Sequence, residues 1–207
     1  MTLSAQEARN VKRAPVDDAL LPVVLERWSP RSFDSRDVSP TDLKRMFEAA
    51  RWARSSFNEQ PWRFIVGPRG SETFQKIVSA LAVGNQGWAP KAPVLILSVA
   101  KTHFSQNNTP NYYALFDLGA ASALITLQAA ALGLATHQMA GFDHDAARKA
   151  LGIPEDYAMG SVMALGHQGE PSALPNEKLV AMETAPRTRK PLSEIVLSAW
   201  GEPANLG

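Results

Sequence analysis

Apolar positions recur along this chain at spacings that alternate between helical and extended. In residues 17–28, Leu20, Leu21, Val24, Leu25 and Trp28 fall at helical spacing and predict a helix that Pro30 ends. Ser39-Pro40 is a start signal, with serine as N-cap and proline at the first helical position. Leu43, Met46, Phe47 and Ala50 then form one stripe. Residues 54–61 read as a polar loop ending at Pro61, and Trp62 to Val66 as a short strand. Ser71 caps a second amphipathic helix carrying Phe74, Ile77, Val78 and Leu81. Glycines and prolines make 84–93 a loop. Val94 to Val99 is continuously apolar, as in a central strand. A long helix runs from about Tyr113 to Leu132 and stops at Gly133. A strand follows around Ala135 to Met139, a helix from Asp143 to Gly152, and a strand from Ala158 to Leu165. Helices and strands alternate irregularly, which favours an α+β fold over a doubly wound sheet.

At 207 residues without a linker or repeat, this is one domain over 16–207, preceded by a loosely held 1–15 and closed by an arm over about 185–207. The stretch 118–142 has no Asp, Glu, Lys or Arg, but its polar residues and many alanines suit a buried helix better than a membrane span. Met1 to Arg13 has no apolar core of a signal peptide, so a cytoplasmic protein is expected. The formal net charge of +1 argues against a nucleic-acid partner. The absence of cysteine excludes thiolate nucleophiles, Fe–S clusters and cysteine-based zinc sites. The four histidines show no metal spacing, and no metal site is expected. Any redox chemistry therefore needs a bound cofactor. Phosphate-loop, dinucleotide-fold and nucleophile-elbow motifs are missing.

Two segments carry candidate chemistry. Arg27-Trp28-Ser29-Pro30-Arg31-Ser32-Phe33 sets two arginines around a hydroxyl. Arginine forks suit phosphate and carbonyl oxygens, although arginines also suit a solvated helix end. Ser55-Ser56-Phe57-Asn58-Glu59-Gln60-Pro61-Trp62 gathers hydroxyls and amides just before a strand. Amides match a heterocycle edge with alternating donors and acceptors, although the same residues make ordinary polar turns.

Together these segments resemble the R-x-S-x-[RK]-x-F and S-S-x-N-x-Q-P-W signatures of the FMN-dependent nitroreductase family. Asp117 to Ala121 resembles the start of its central helix, and Gly133-Leu134 with Met139 to Asp143 its strand and turn beside the flavin. Arg187 to Val196 resembles its C-terminal basic motif, so the likeness spans about 20–198. The resemblance implies a nitroreductase-like fold, with a mostly antiparallel central sheet flanked by helices. It also implies a homodimer whose C-terminal arms reach onto the partner.

The same resemblance implies the site. Arg27, Ser29 and Arg189, helped by Arg187, would hold the FMN phosphate, with Trp28 between them in the motif. Arg31 would lie at the flavin N1/O2 edge, where positive charge favours the reduced cofactor. Ser55, Ser56 and Asn58 would come from the partner subunit, with Gln60 nearby. Asn85, Met139, Ala140 and Gly141 would line the ring, and no side chain would act as a catalytic acid, base or nucleophile. NADH or NADPH would be co-substrate, and a nitroaromatic, quinone or enal the small-molecule acceptor. A dehalogenase, a flavin-destroying enzyme, a small-aldehyde reductase or a non-catalytic flavin binder would share the fold. The sequence departs from some family members at Trp88, where they carry lysine, and at Ala140, where they carry glutamate.

Overall fold

The apolar run at Val94 to Val99 forms the middle of the protein because both of its faces are covered. The structure, a computed structural model, describes residues 2–16 and 20–206. Four strands, β1 (Trp62–Pro68), β2 (Val94–Lys101), β3 (Ala135–Met139) and β4 (Tyr157–Gly166), form an antiparallel sheet in the order β1-β2-β4-β3. Side chains alternate across a strand. Leu95, Leu97 and Val99 therefore join one core with Phe74, Ile77, Trp88 and Ala147. Val94, Ile96 and Ala100 join the other with Met46, Leu118, Ala121 and Ile125. The α+β expectation and the antiparallel sheet are both observed.

The register shifts between Leu97 and Val99 opposite β4. There the Ser98 hydroxyl repairs the ladder: it accepts from the Ser161 N–H and donates to the Ser161 carbonyl, both at 3.0 Å. Gly160 lies in the same place, where a Cβ would stand 2.5 Å from Leu118 and 2.9 Å from the Ser98 carbonyl.

The helices are α1 (Ala5–Lys12), α2 (Pro22–Glu26), α3 (Pro40–Arg51), α4 (Glu72–Ala80), α5 (Val83–Gln86), α6 (Ala114–Ala131), α7 (His144–Leu151) and α8 (Glu177–Thr184). Ser39, Ser71 and Asp143 accept backbone N–H bonds as N-caps of α3, α4 and α7, as their sequence positions predict. Gly133 (φ +74°) and Gly152 (φ +64°) take the left-handed conformation just past α6 and α7. Helix α6 is long and apolar enough to cross a membrane, yet Leu118, Ala121, Ile125 and Ala129 bury one side of it against the sheet.

Three expectations change. The helix over 17–28 is only α2, and Asp17 to Ala19 lie outside the described residues. The loop at 84–93 is interrupted by α5, which begins at Val83, and by a single 3₁₀ turn at Ala89–Lys91. Residues 1–15 are not loose throughout, because α1 has a Ser4/Glu7 capping box and docks on the C-terminal region. There the Ala5 N–H meets Glu170 at 2.8 Å and Lys12 Nζ meets the Met182 carbonyl at 2.7 Å. In the C-terminal arm, β5 (Leu197–Ala199) turns through Gly201 onto β6 (Glu202–Pro203). Ile195 and Trp200 beside it stay exposed.

Candidate anion site and loop cluster

Proline at position 30 forces the chain out of α2 and sends Arg27 to Phe33 across the end of the sheet. There Arg27 lines two adjoining cavities with Thr126 of α6 and Thr136 of β3. Trp28 lines the first. Ser29 and Gln138 line the second, whose volume is about 310 Å³. Trp28 is otherwise buried, with Lys12 4.9 Å above its ring.

The C-terminal basic motif reaches the same place. Arg187 donates to the Arg27 carbonyl at 2.6 Å and to the Leu25 carbonyl at 2.5 Å. Burial, then the charge of Arg189, lowers the Arg27 guanidinium's affinity for its proton. Burial, then Arg27 and Arg189, does the same to Arg187. Among the described residues no carboxylate pairs with any of the three, and the buried Nε atoms of Arg27 and Arg187 have no hydrogen-bond partner. Arg27 lines the cavities while Arg187 and Arg189 add like charge beside it, and two orphaned donors in such surroundings suit an anion.

Residues 30–34 are held from several sides. The His137 Nδ1–H donates to the Pro30 carbonyl at 3.0 Å, since a carbonyl can only accept. The buried Glu183 of α8 accepts the N–H groups of Arg31 and Ser32. Burial pushes the Glu183 carboxyl up, while Ser32, Arg31 and Lys12 pull it down. The Arg31 guanidinium lies 5.9 Å from the centre of the Trp88 ring. Trp88 in turn packs on His137 at 4.6 Å and Phe33 at 6.5 Å, so where some family members carry lysine this chain has a buried wall.

Burial first, then the Arg31 charge, lowers the His137 pKa to about 4, against an ordinary 6.5. The native protein then binds fewer protons than the unfolded chain between those values, so its stability falls as pH drops from 6.5 towards 4. The difference corresponds to about 3 kcal/mol. We expect His137→Gln to lose most of that dependence in urea unfolding at pH 7 and pH 4.5; equal pH slopes would refute it.

The turn after β3 is tied to α5. The Gly141 carbonyl accepts from Asn85 Nδ2 at 2.9 Å and from the Ala82 N–H at 3.0 Å. The Ala140 carbonyl accepts from the Phe142 N–H. The Gly141 position is tight, since a Cβ there would stand 2.9 Å from Asn85 Nδ2. Met139 is buried.

The Ser55–Gln60 loop lines a different cavity, formed by Ser55, Ser56, Tyr113, Phe116 and Asp117. Phe57, Asn58 and Gln60 all take left-handed φ values of 50–56°. Such conformations are costly for non-glycine residues and collect at functional loops. The surroundings enforce them. Buried Asp117 accepts the Ser56 N–H at 2.9 Å, Ser55 Oγ accepts the Gln60 N–H at 3.0 Å, and Glu59 holds Ser105. Gln60 Nε2 turns back to the Asn58 carbonyl.

The fold thus joins Arg27, Trp28, Ser29, Arg187 and Arg189, joins Arg31 to Trp88, and joins Asn85 to Gly141. Ser55 and Ser56 line a separate cavity from those lined by Arg27, Ser29 and Arg31. Glu183, Asp117 and His137 escape sequence reasoning because each acts on backbone groups far along the chain.

The fold is thus an antiparallel α+β domain with an arginine-lined cavity at one sheet edge. The nitroreductase family model matches residues 24–82 and 69–167, and the chain belongs to the nitroreductase family. It is 32% identical over 151 residues to a putative NADH dehydrogenase/NAD(P)H nitroreductase of Archaeoglobus fulgidus, covering 71% of this chain and 84% of that one. It is 36% identical over 150 residues to an uncharacterised 15.4 kDa protein of Mycolicibacterium smegmatis, covering 68% and 99%. A crystal structure of an oxidoreductase containing FMN aligns with a TM-score of 0.84 and 32% identity, over 89% of this chain and 94% of that one.

Proposed function

We propose that the protein is an FMN-dependent NAD(P)H oxidoreductase of the nitroreductase type, working as a homodimer with two shared sites. The observation that carries this reading is the cluster of Arg27 and Arg187, both partly desolvated, with the charge of Arg189 beside them and no carboxylate pairing with any of the three among the described residues. A phosphate monoester is a compact dianion, and its oxygens suit guanidinium forks and the Ser29 hydroxyl. When bound, FMN supplies a carrier that accepts hydride from NADH or NADPH at N5 and passes electrons to a nitroaromatic, quinone or enal acceptor.

The chain's own work is to bind, orient and charge the surroundings. Arg31, set beside Trp88 and His137, would give positive charge at the ring edge. Asn85, Met139, Ala140 and Gly141 line the ring. Ser55, Ser56, Asn58 and Gln60 serve the partner's site. Support for a partner comes from the separate cavity lined by Ser55 and Ser56 and from Tyr112, Tyr113, Leu115 and Phe116, large side chains exposed around the start of α6. The C-terminal arm, with exposed Trp200, would close over the partner.

The purified protein should be yellow and release one FMN per chain on denaturation. Anaerobic NADPH or NADH should bleach it, and double-reciprocal plots at several acceptor concentrations should be parallel. A colourless protein that takes up no added FMN would overturn the reading. Intersecting lines would overturn the single pocket used in turn.

A further inference from the structure

Residues 30–34 tie five backbone polar groups to the rest of the chain. His137 takes the Pro30 carbonyl. The Gly169 N–H donates to the Ser32 carbonyl at 2.9 Å, and the Asp34 N–H to the His167 carbonyl at 3.0 Å. Ser32 Oγ donates to the Glu170 carbonyl at 2.6 Å. The N–H groups of Arg31 and Ser32 both go to one carboxylate: Glu183 Oε1 accepts each at 3.0 Å, and Oε2 also accepts Arg31 at 3.1 Å.

Glu183 is fully buried at 0% exposure. A buried carboxylate is costly, and a well-packed apolar side chain often serves stability as well or better. Its presence here therefore points to a demand on geometry. The backbone it grips carries a side chain with no directional partner: among the described residues the Arg31 guanidinium makes no hydrogen bond or ion pair, rests near Trp88 and feels Glu183, His137 and Lys12 only through space. A rigid main chain under an uncommitted guanidinium is how a protein aims a charge at something it does not itself contain.

We propose that Glu183 is a positioning residue for Arg31, fixing the backbone from which that guanidinium is directed at the flavin ring edge. This rests on the reading of Arg31 given above. The two effects of Glu183 on a flavin have opposite signs. Its negative charge acting through space disfavours added electrons, so losing that charge alone would raise the midpoint potential. Its grip on Arg31 holds a positive charge in place, so losing the grip would lower the potential.

The test compares Glu183→Ala, Glu183→Asp and Glu183→Gln with Arg31→Ala in FMN-loaded protein. Glu183→Ala should lower the midpoint potential in the direction of Arg31→Ala and add nothing in the Arg31→Ala background. Glu183→Asp keeps the charge but loses reach and should also lower it, which keeps the test available if the alanine variant does not fold. Glu183→Gln retains an oxygen for both N–H groups and should leave the potential level or raise it. Amide exchange at Arg31 and Ser32, read without cofactor, should quicken in the Ala and Asp variants and stay slow in Gln. A wild-type protein that binds no FMN would fail the proposed function before any variant is compared. With FMN bound, an unchanged or raised potential in both Ala and Asp, or a full additive effect on Arg31→Ala, would overturn this inference alone.

Discussion

Arg27→Glu should abolish measurable FMN binding while raising the melting temperature of the cofactor-free protein. Both effects come from the same cluster. In the native chain Arg27 and Arg187 are partly desolvated and repelled by like charge. A carboxylate at 27 would answer Arg187 and Arg189 from inside, and so relieve the apo protein while occupying the phosphate's counter-charge. The milder Arg27→Ala and Arg189→Ala should each cost about 1.5–3 kcal/mol, the range for a hydrogen bond to a charged group. That is about ten- to a hundred-fold in dissociation constant. Calorimetric titration of apo protein with FMN and thermal melts without it check the two halves separately. An Arg27→Glu protein that purifies yellow would sink the phosphate assignment.

Mixing two defective chains should restore about half of wild-type activity, the share of one intact site in a two-fold dimer. One chain carries Arg27→Glu; the other carries replacements at Ser55, Ser56 and Asn58. Each should be inactive alone if the sites are shared. In a heterodimer purified through two tags, one site collects both defects and the other none, so about one FMN per dimer is expected. A stable heterodimer without recovery would show that each chain builds its whole site, and the separation between the Ser55 loop and Arg27 would need another explanation.

Local chemistry made much of this molecule readable from its residues. Ser39, Ser71 and Asp143 cap helices because their oxygens meet N–H groups three residues on. The β2 run is apolar throughout because both faces are buried. The sequence also brings Arg27 and Ser29 into one motif, and the motif reappears at one cavity. What stayed hidden depends on long-range partners. The fate of α1 depends on Glu170 and Met182. The α8 helix has a weak apolar periodicity, and Glu183 looks like any surface glutamate until its helix packs. The left-handed residues at Phe57, Asn58 and Gln60 have no glycine to announce them.

The span of these long contacts sets an order of events during synthesis. Glu183 lies 152 residues after Arg31, Arg187 lies 160 after Arg27, and Glu170 lies 165 after Ala5. The sheet, by contrast, is complete once Gly166 has emerged. At about 5–20 residues per second, the Arg27–Phe33 segment waits roughly 8–30 s for the partners that shape it. A chain cut short after β4 has all four strands of the main sheet but neither the carboxylate nor the second and third arginines. The arginine cluster proposed to hold an anion therefore cannot assemble until Arg187 and Arg189 have been made, well after the four-stranded sheet.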